Sequence, residues 1–329
     1  MEAHPQQRRL PVHVLTGFLG SGKTTLLRHF LQSPSLRDTA VIINEFGEVG
    51  LDHLLVQELK EDVVLLSSGC LCCTVRDDLL STLLDLKRAA DCEEIPSFSR
   101  VVVETTGLAD PLPMMQAILT EKRVSKAYRL GNVLTAVDAV NGPETLARYR
   151  EAGRQLAAAD RVLLTKTDLV DEPAGRALAA RVAEVNAAAS CITSSPGNLP
   201  PPDALFDRPD ETAPARGLES LPNDAHHHHS DIGTFVITRD EPISLPAFIE
   251  WLELLLASRG DSILRVKGYI AAAGHDRPLV IQGVQYTVYE PEPLPFWPDA
   301  RRRSELVFIA RDLTRAAIER SLASVRGDK

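Results

Sequence analysis

Short apolar runs recur along the first two thirds of the chain, separated by longer stretches in which apolar residues return with helical period. The runs at 12–16, 41–43, 63–66, 101–103, 132–137, 162–164 and 191–193 predict strands, because they are short, rich in β-branched residues and bounded by turn-forming positions. The stretches 24–32, 77–89 and 111–120 predict helices, the last with Pro111 in its first turn, and the Ala-rich stretch 174–189 predicts another. Strands with little polar alternation that take turns with helices imply a mainly parallel sheet covered by helices on both faces. In such a sheet, ligands sit at the carboxyl ends of the strands.

The pattern breaks near residue 196. Residues 196–225 hold many prolines with Asp, Glu and Gly and show no apolar period, so they read as a linker or long surface loop ending in His226-His227-His228-His229. Beyond it, 232–238 predicts a strand. Residues 245–257 predict a helix with Phe248, Trp251, Leu252 and Leu255 on one face. Residues 263–272 and 279–289 predict paired strands across a turn at 274–277, followed by a strand at 305–309 and a helix at 313–325. The expected organisation is a nucleotide-binding α/β domain over 1–200, a linker over 201–230 and a smaller α+β domain over 231–329.

Composition narrows the class. At 329 residues, 44% apolar and 25% charged, the chain has the make-up of a globular protein of two domains. The net charge of −9 argues against a general nucleic-acid footprint, and the basic triplet Arg301-Arg302-Arg303 reads as a solvated turn. No apolar run is long enough to span a bilayer, and residues 1–10 are polar without a signal-peptide core, so the expectation is a cytoplasmic protein without a membrane partner.

The chemistry starts at Gly17-Phe18-Leu19-Gly20-Ser21-Gly22-Lys23-Thr24-Thr25, which fits the phosphate-loop pattern G-x-x-x-x-G-K-[ST] between a strand and a helix. Gly17, Gly20 and Gly22 let the backbone turn its N–H groups onto one concave face, and the following helix aims its positive end at the same place. Lys23 adds a point charge for the β- and γ-phosphates, and the Thr24 hydroxyl is a ligand for Mg²⁺. Glu104-Thr105-Thr106-Gly107 follows the strand at 101–103. An acid there holds the metal directly or through water, and the Gly107 N–H faces the γ-phosphate. Lys23, Thr24, Glu104 and Gly107 are therefore the candidate catalytic set. Leu108 stands where small GTPases carry a water-orienting Gln, which predicts slow hydrolysis.

Thr165-Lys166-Thr167-Asp168 is similar to the guanine-recognition sequence N-K-x-D. A carboxylate at Asp168 accepts from both guanine N1–H and the 2-amino group, and it would be left buried and unpaired against adenine. Thr165 replaces the usual Asn, which leaves that contact open. The stem of Lys166 would lie along the base.

Three of the five cysteines fall at Cys70, Cys72 and Cys73. This spacing is too tight for a closed zinc site and predicts an open coordination sphere, with Glu45, Glu48 or a histidine completing it. Thiolates favour Zn²⁺ and other late divalent metals without choosing among them. A redox dithiol and a buried thiol cluster are the other readings. The four-histidine tract is a compositional metal-binding signal whose role the sequence leaves open.

In order, G-F-L-G-S-G-K-T-T, N-E-F-G-E-V-G, G-C-L-C-C, E-T-T-G-L-A-D-P and T-K-T-D-L resemble the CobW-like GTPases, relatives of the urease and hydrogenase accessory GTPases. Residues 263–268 and 281–285 resemble that family's C-terminal domain, so the likeness covers nearly the whole chain. It implies a metallochaperone that binds GTP with Mg²⁺, carries Zn²⁺ (or Co²⁺ or Ni²⁺) on Cys70, Cys72 and Cys73, and hands it to a client metalloprotein, acting as monomer or homodimer. The rival readings are a nucleotide-dependent small-molecule kinase and a non-catalytic metal sensor or store.

Overall fold

A computed structural model describes residues 9–43, 63–67, 75–195, 197–206, 232–298, 300–323 and 325, with backbone alone for 63–67 and 75–77. The first sheet has seven strands: β1 (Leu10–Gly17), β2 (Thr39–Ile43), β3 (Val63–Ser67), β4 (Arg100–Glu104), β5 (Tyr128–Asp138), β6 (Arg161–Thr165) and β7 (Ser190–Thr193). Their order is β3-β2-β4-β1-β5-β6-β7, and every pairing is parallel. The expected parallel sheet is thus present, with the first strand at its centre.

Side chains alternate across this sheet as a two-residue period requires. Val41 and Ile43 enter one apolar cluster with Leu15, Val102, Leu134 and helix α1 (Lys23–Leu31). Ala40 and Ile42 enter the cluster on the other face, with Val12, Val101 and Val103, against helices α2 (Val75–Asp91) and α3 (Pro111–Thr120). Four further described helices cover this sheet: α4 (Lys122–Ala127), α5 (Gly142–Arg148), α6 (Arg150–Ala158) and α7 (Glu172–Val185). The Ala-rich helix is shifted from the expected 174–189. Asp171 caps its start at Ala174 N, and Asn186 ends it while its side chain holds the carbonyls of Leu156 and Ala159.

The stretch read as a linker is structured at its beginning. Helix α8 (Pro202–Phe206) seats Leu205 and Phe206, both buried, in the cluster around Phe30. The Phe206 ring stands edge-on to Phe30 and His13. Two large apolar side chains buried there outweigh a composition that reads as loop. The histidine tract lies outside the described residues.

The second sheet is antiparallel: β8 (Ile232–Arg239), β9 (Ile263–Ile270), β10 (Leu279–Val284), β11 (Thr287–Val288), β12 (Glu292–Pro293) and β13 (Ser304–Arg311), in the order β11-β10-β9-β13-β8 with β12 on β10. The strand expected at 279–289 breaks where Gln285 takes φ 48°, a left-handed turn conformation. Helices α9 (Leu245–Arg259) and α10 (Arg315–Leu322) join one apolar cluster with this sheet through Phe248, Trp251, Leu252 and Ile318. Leu264, Val284 and Ile309 pack instead on Val14, Leu112 and Met115 of the first part. Beside that contact, Asp160 pairs with both Arg265 (2.7 Å) and Lys267. Arg265 is 2% exposed and also donates to the carbonyl of Ala158.

No helix among the described residues is long and apolar enough to cross a membrane.

Candidate nucleotide site and its metal edge

The strands of the first sheet end level with one another. Leu15 on β1 and Ile43 on β2 both pair with Glu104 on β4, Ile43 pairs with Ser67 on β3, and Asp138 on β5 pairs with Thr165 on β6. The loops carrying the candidate residues therefore leave one edge, as strand-end chemistry requires.

The phosphate loop is shaped by its glycines. Gly17 has φ 143°, and a Cβ there would stand 2.4 Å from the Ala136 carbonyl oxygen. Gly20 and Gly22 have φ 73° and 90°, conformations that side-chain-bearing residues rarely adopt. Gly22 is the N-cap of α1 and offers no side-chain cap, so the helix presents its first-turn N–H groups and its dipole to the loop. Lys23 is buried and spans the loop, its Nζ donating to the carbonyls of Gly17 (2.9 Å) and Phe18 (3.3 Å). Thr25 is exposed on the first turn.

Thr24 and Glu104 meet. The Thr24 hydroxyl donates to Glu104 Oε1 at 2.8 Å, and Glu104 is only 4% exposed at the end of β4. A hydroxyl and a carboxylate held together at the phosphate edge form a hard-oxygen pair of the kind Mg²⁺ takes. The segment after Glu104 is fastened to β1: Thr105 N donates to the Leu15 carbonyl (2.9 Å) and the Thr105 hydroxyl to Thr16 Oγ1 (2.8 Å). Gly107 is buried against the phosphate loop, where a Cβ would lie 2.8 Å from both N and Cα of Leu19. Leu108 is 55% exposed.

Thr165 lies beneath the loop. Its buried hydroxyl donates to the Ser21 carbonyl at 2.8 Å, tying the strand that leads into the turn carrying Asp168 to the phosphate loop. Lys166 takes φ 57°, and its Nζ donates to Asp138 Oδ2 at 2.6 Å. Burial alone would raise the Asp138 carboxyl. The Lys166 ammonium, the Asn141 side chain and the N–H groups of Val140 and Asn141 together hold it below the ordinary carboxylate range. Asp168 is exposed in the turn Thr167–Leu169, which Thr167 anchors by donating its hydroxyl to the Ser194 carbonyl (2.9 Å).

Cys70, Cys72, Cys73, Glu45 and Glu48 lie outside the described residues. The described strands leading to them end at Ser67 and Ile43, level with Glu104. Among the described residues, no group of three or more His, Cys, Asp or Glu side chains could hold a metal ion. Cys92 and Cys191 are free thiols at exposed positions.

Two supporting residues escaped sequence reasoning. Asp138 carries a signal in hindsight, a carboxylate at a strand end beside the strand of the lysine motif. Gln155 carries none: it is 1% exposed on α6, and its Nε2 donates to the carbonyls of Gly107 and Ala109, both at 3.0 Å.

Comparison with known proteins agrees with the motif order. Residues 11–193 match the model of the CobW/HypB/UreG nucleotide-binding domain, and residues 232–326 match that of the cobalamin synthesis protein cobW C-terminal domain. The chain is 35% identical to the zinc chaperone YjiA of Escherichia coli over 319 residues, covering 96% of this chain and 99% of that protein. It is 33% identical to the zinc chaperone CobW of Pseudomonas aeruginosa, covering 95% and 91%. A crystal structure of Zn(II)-bound YjiA GTPase from E. coli superposes with a TM-score of 0.73 at 31% identity, covering 97% of this chain and 99% of that one.

Proposed function

From a chain that belongs to the CobW family, with that family's nucleotide-binding and C-terminal domains both present, we propose a GTPase that works as a zinc chaperone. It binds and slowly hydrolyses GTP, holds Zn²⁺ or a similar divalent metal (Co²⁺, Ni²⁺) on Cys70, Cys72 and Cys73, and yields it to a client metalloprotein according to the nucleotide bound. The GTPase and zinc-chaperone parts of this reading draw on the names of its relatives.

One observation carries the nucleotide half: the convergence of Thr24, Glu104, Lys23 and the Thr165–Ser21 bond at a single sheet edge. Thr24 and Glu104 would hold Mg²⁺, which neutralises charge on the terminal phosphates when bound. Lys23 bridges the loop from which it would reach the β- and γ-phosphates. The Gly107 N–H is the group that would distinguish GTP from GDP, and Asp168 the group that selects guanine. Leu108, exposed and apolar, has no means of orienting a water, in keeping with slow turnover.

The metal half rests on donor chemistry and on register. The strand that leads to Glu45 and Glu48 ends beside Glu104, and the strand that leads to the cysteines ends beside that one, Ser67 against Ile43. A γ-phosphate with Mg²⁺ can order neighbouring loops that hydrolysis releases. The test is Zn²⁺ and Co²⁺ affinity, by competition with chelators, in the presence of a GTP analogue or GDP. A difference of tenfold or more is expected (about 1.4 kcal/mol of coupling), and equal affinities would overturn the coupling.

A further inference from the structure

The polar contacts beneath the phosphate edge give Gln155 a task that the motifs do not assign. The turn 106–109, closed by Ala109 N donating to the Thr106 carbonyl (3.1 Å), has two supports. Above, Gly107 lies against Leu19 of the phosphate loop with no room for a Cβ. Below, the carboxamide of Gln155 reaches from α6 and donates from its one nitrogen to the carbonyls of Gly107 and Ala109, at 3.0 Å each. The Thr135 hydroxyl fixes the Gln155 backbone by donating to its carbonyl (2.9 Å), and Arg154 pairs with Asp110 just beyond the turn.

A second observation points the same way. Gln155 Oε1 and Ser21 Oγ are both buried without a hydrogen-bond partner among the described residues. Both residues line one cavity of about 30 Å³ beside Phe18, Leu19 and Thr135. That volume admits one water, although most of the lining is apolar. A water between Oε1 and Oγ would join the turn's lower support to the phosphate loop itself.

We infer that Gln155 is a positioning residue for the nucleotide: it holds the 106–109 turn at the height where the Gly107 N–H meets a γ-phosphate. The side chain suits the task because a neutral amide supplies two donors from one atom to two backbone carbonyls of the turn. This rests on the GTPase reading above. It predicts that Gln155 matters to GTP and not to GDP, which lacks the phosphate facing Gly107.

The full-length protein is compared with Gln155→Met, which keeps the volume and removes both donors, and Gln155→Glu, which keeps the shape and replaces the donors with acceptors. Affinities for a non-hydrolysable GTP analogue and for GDP are measured with Mg²⁺, alongside kcat and KM for GTP and circular dichroism. The expected result is a loss of roughly tenfold in analogue affinity, the scale of the hydrogen bonds removed, with GDP affinity within about twofold of wild type and a reduced kcat. An equal loss for both nucleotides, or no loss, overturns the positioning role and leaves the GTPase reading intact. Unfolding of both variants overturns it too and makes the residue purely structural. A wild-type protein that binds neither nucleotide overturns both.

Discussion

At the scale of single residues, the site is a set of short polar links between strand ends. Thr165 shows how one side chain changes its task without leaving the motif. An Asn at this position would offer an amide, whereas the shorter threonine hydroxyl reaches the Ser21 carbonyl and locks the base-recognition strand under the phosphate loop. In the proposed GTPase, selection of the base then falls to Asp168. Asn in place of Asp168 keeps one acceptor and adds one donor, matching the N1–H and C2 carbonyl of xanthine in place of guanine's two donors. The Asp168→Asn protein should lose GTP affinity by roughly a hundredfold or more and gain XTP binding, since an unpaired buried polar group discriminates strongly. Competition of GTP, XTP and ATP against a fluorescent guanine nucleotide measures both changes.

These residues were legible because phosphate and base chemistry demand particular side chains at fixed local spacing. Lys23 and Thr24 adjoin the glycines that shape their loop, and Glu104 and Gly107 fall within four positions of each other. Asp138 was legible only as a carboxylate at a strand end, and Gln155 and Arg265 not at all. Each acts on a partner distant in sequence (Lys166, Gly107 and Asp160 respectively), and only the fold brings the two together.

At the scale of elements, the central strand β1 carries a polar side chain inside the sheet. His13 is 4% exposed, its Nδ1 accepts from the Asn132 N–H at 3.0 Å, and its ring meets Phe206 of α8. Burial, together with the charges of Arg100, Arg129 and Arg161, pushes its pKa down to about 3. A histidine held neutral in this way lends its full stability above its unfolded pKa near 6.5 and loses it as the pH falls toward 3. The penalty reaches about 2 kcal/mol near pH 5, at about 1.4 kcal/mol per pH unit. Urea midpoints of wild type should be level above neutrality and drop below about pH 6.5. His13→Gln, which retains an acceptor for Asn132 and does not titrate, should drop less steeply. Parallel curves for the two proteins would show that His13 is not the group responsible.

The helices missed by pattern belong to this scale as well. Helices α5 and α6 are short and meet at Tyr149, so neither runs long enough for its period to stand out. Helix α8 is shorter still and sits among prolines. The longer apolar strands announced themselves because each must be apolar nearly throughout to be buried on both faces.

At the scale of the molecule, an apolar contact and a buried ionic cluster join the two parts, beside the partly exposed pair Arg9–Glu292 and a hydrogen bond from Thr234 to the Val185 carbonyl. Asp160, whose other carboxylate oxygen accepts from the Val133 N–H at 2.7 Å, faces two cations from the second sheet. Removing the carboxylate leaves Arg265 buried beside Lys267 without the charge they share. Asp160→Ala should therefore destabilise the protein by about 3–5 kcal/mol, measured by urea denaturation, with the second sheet melting ahead of the first where wild type melts as one. A single unchanged transition would show that the Asp160 cluster does not hold the joint.

The strand order has a consequence for how the chain is made. Among the described strands the earliest in the chain is the central one, yet Val12 pairs with Val101 on one side and Leu130 on the other, and Gly17 nests against Ala136. A long nascent segment must emerge before the oldest strand has both neighbours and before the phosphate loop has a floor. Until then its apolar residues stay exposed, a period in which such chains are prone to aggregate. Pairings this distant also close slowly. The phosphate loop therefore gains its floor only as the fifth strand falls into place, more than a hundred residues after the first.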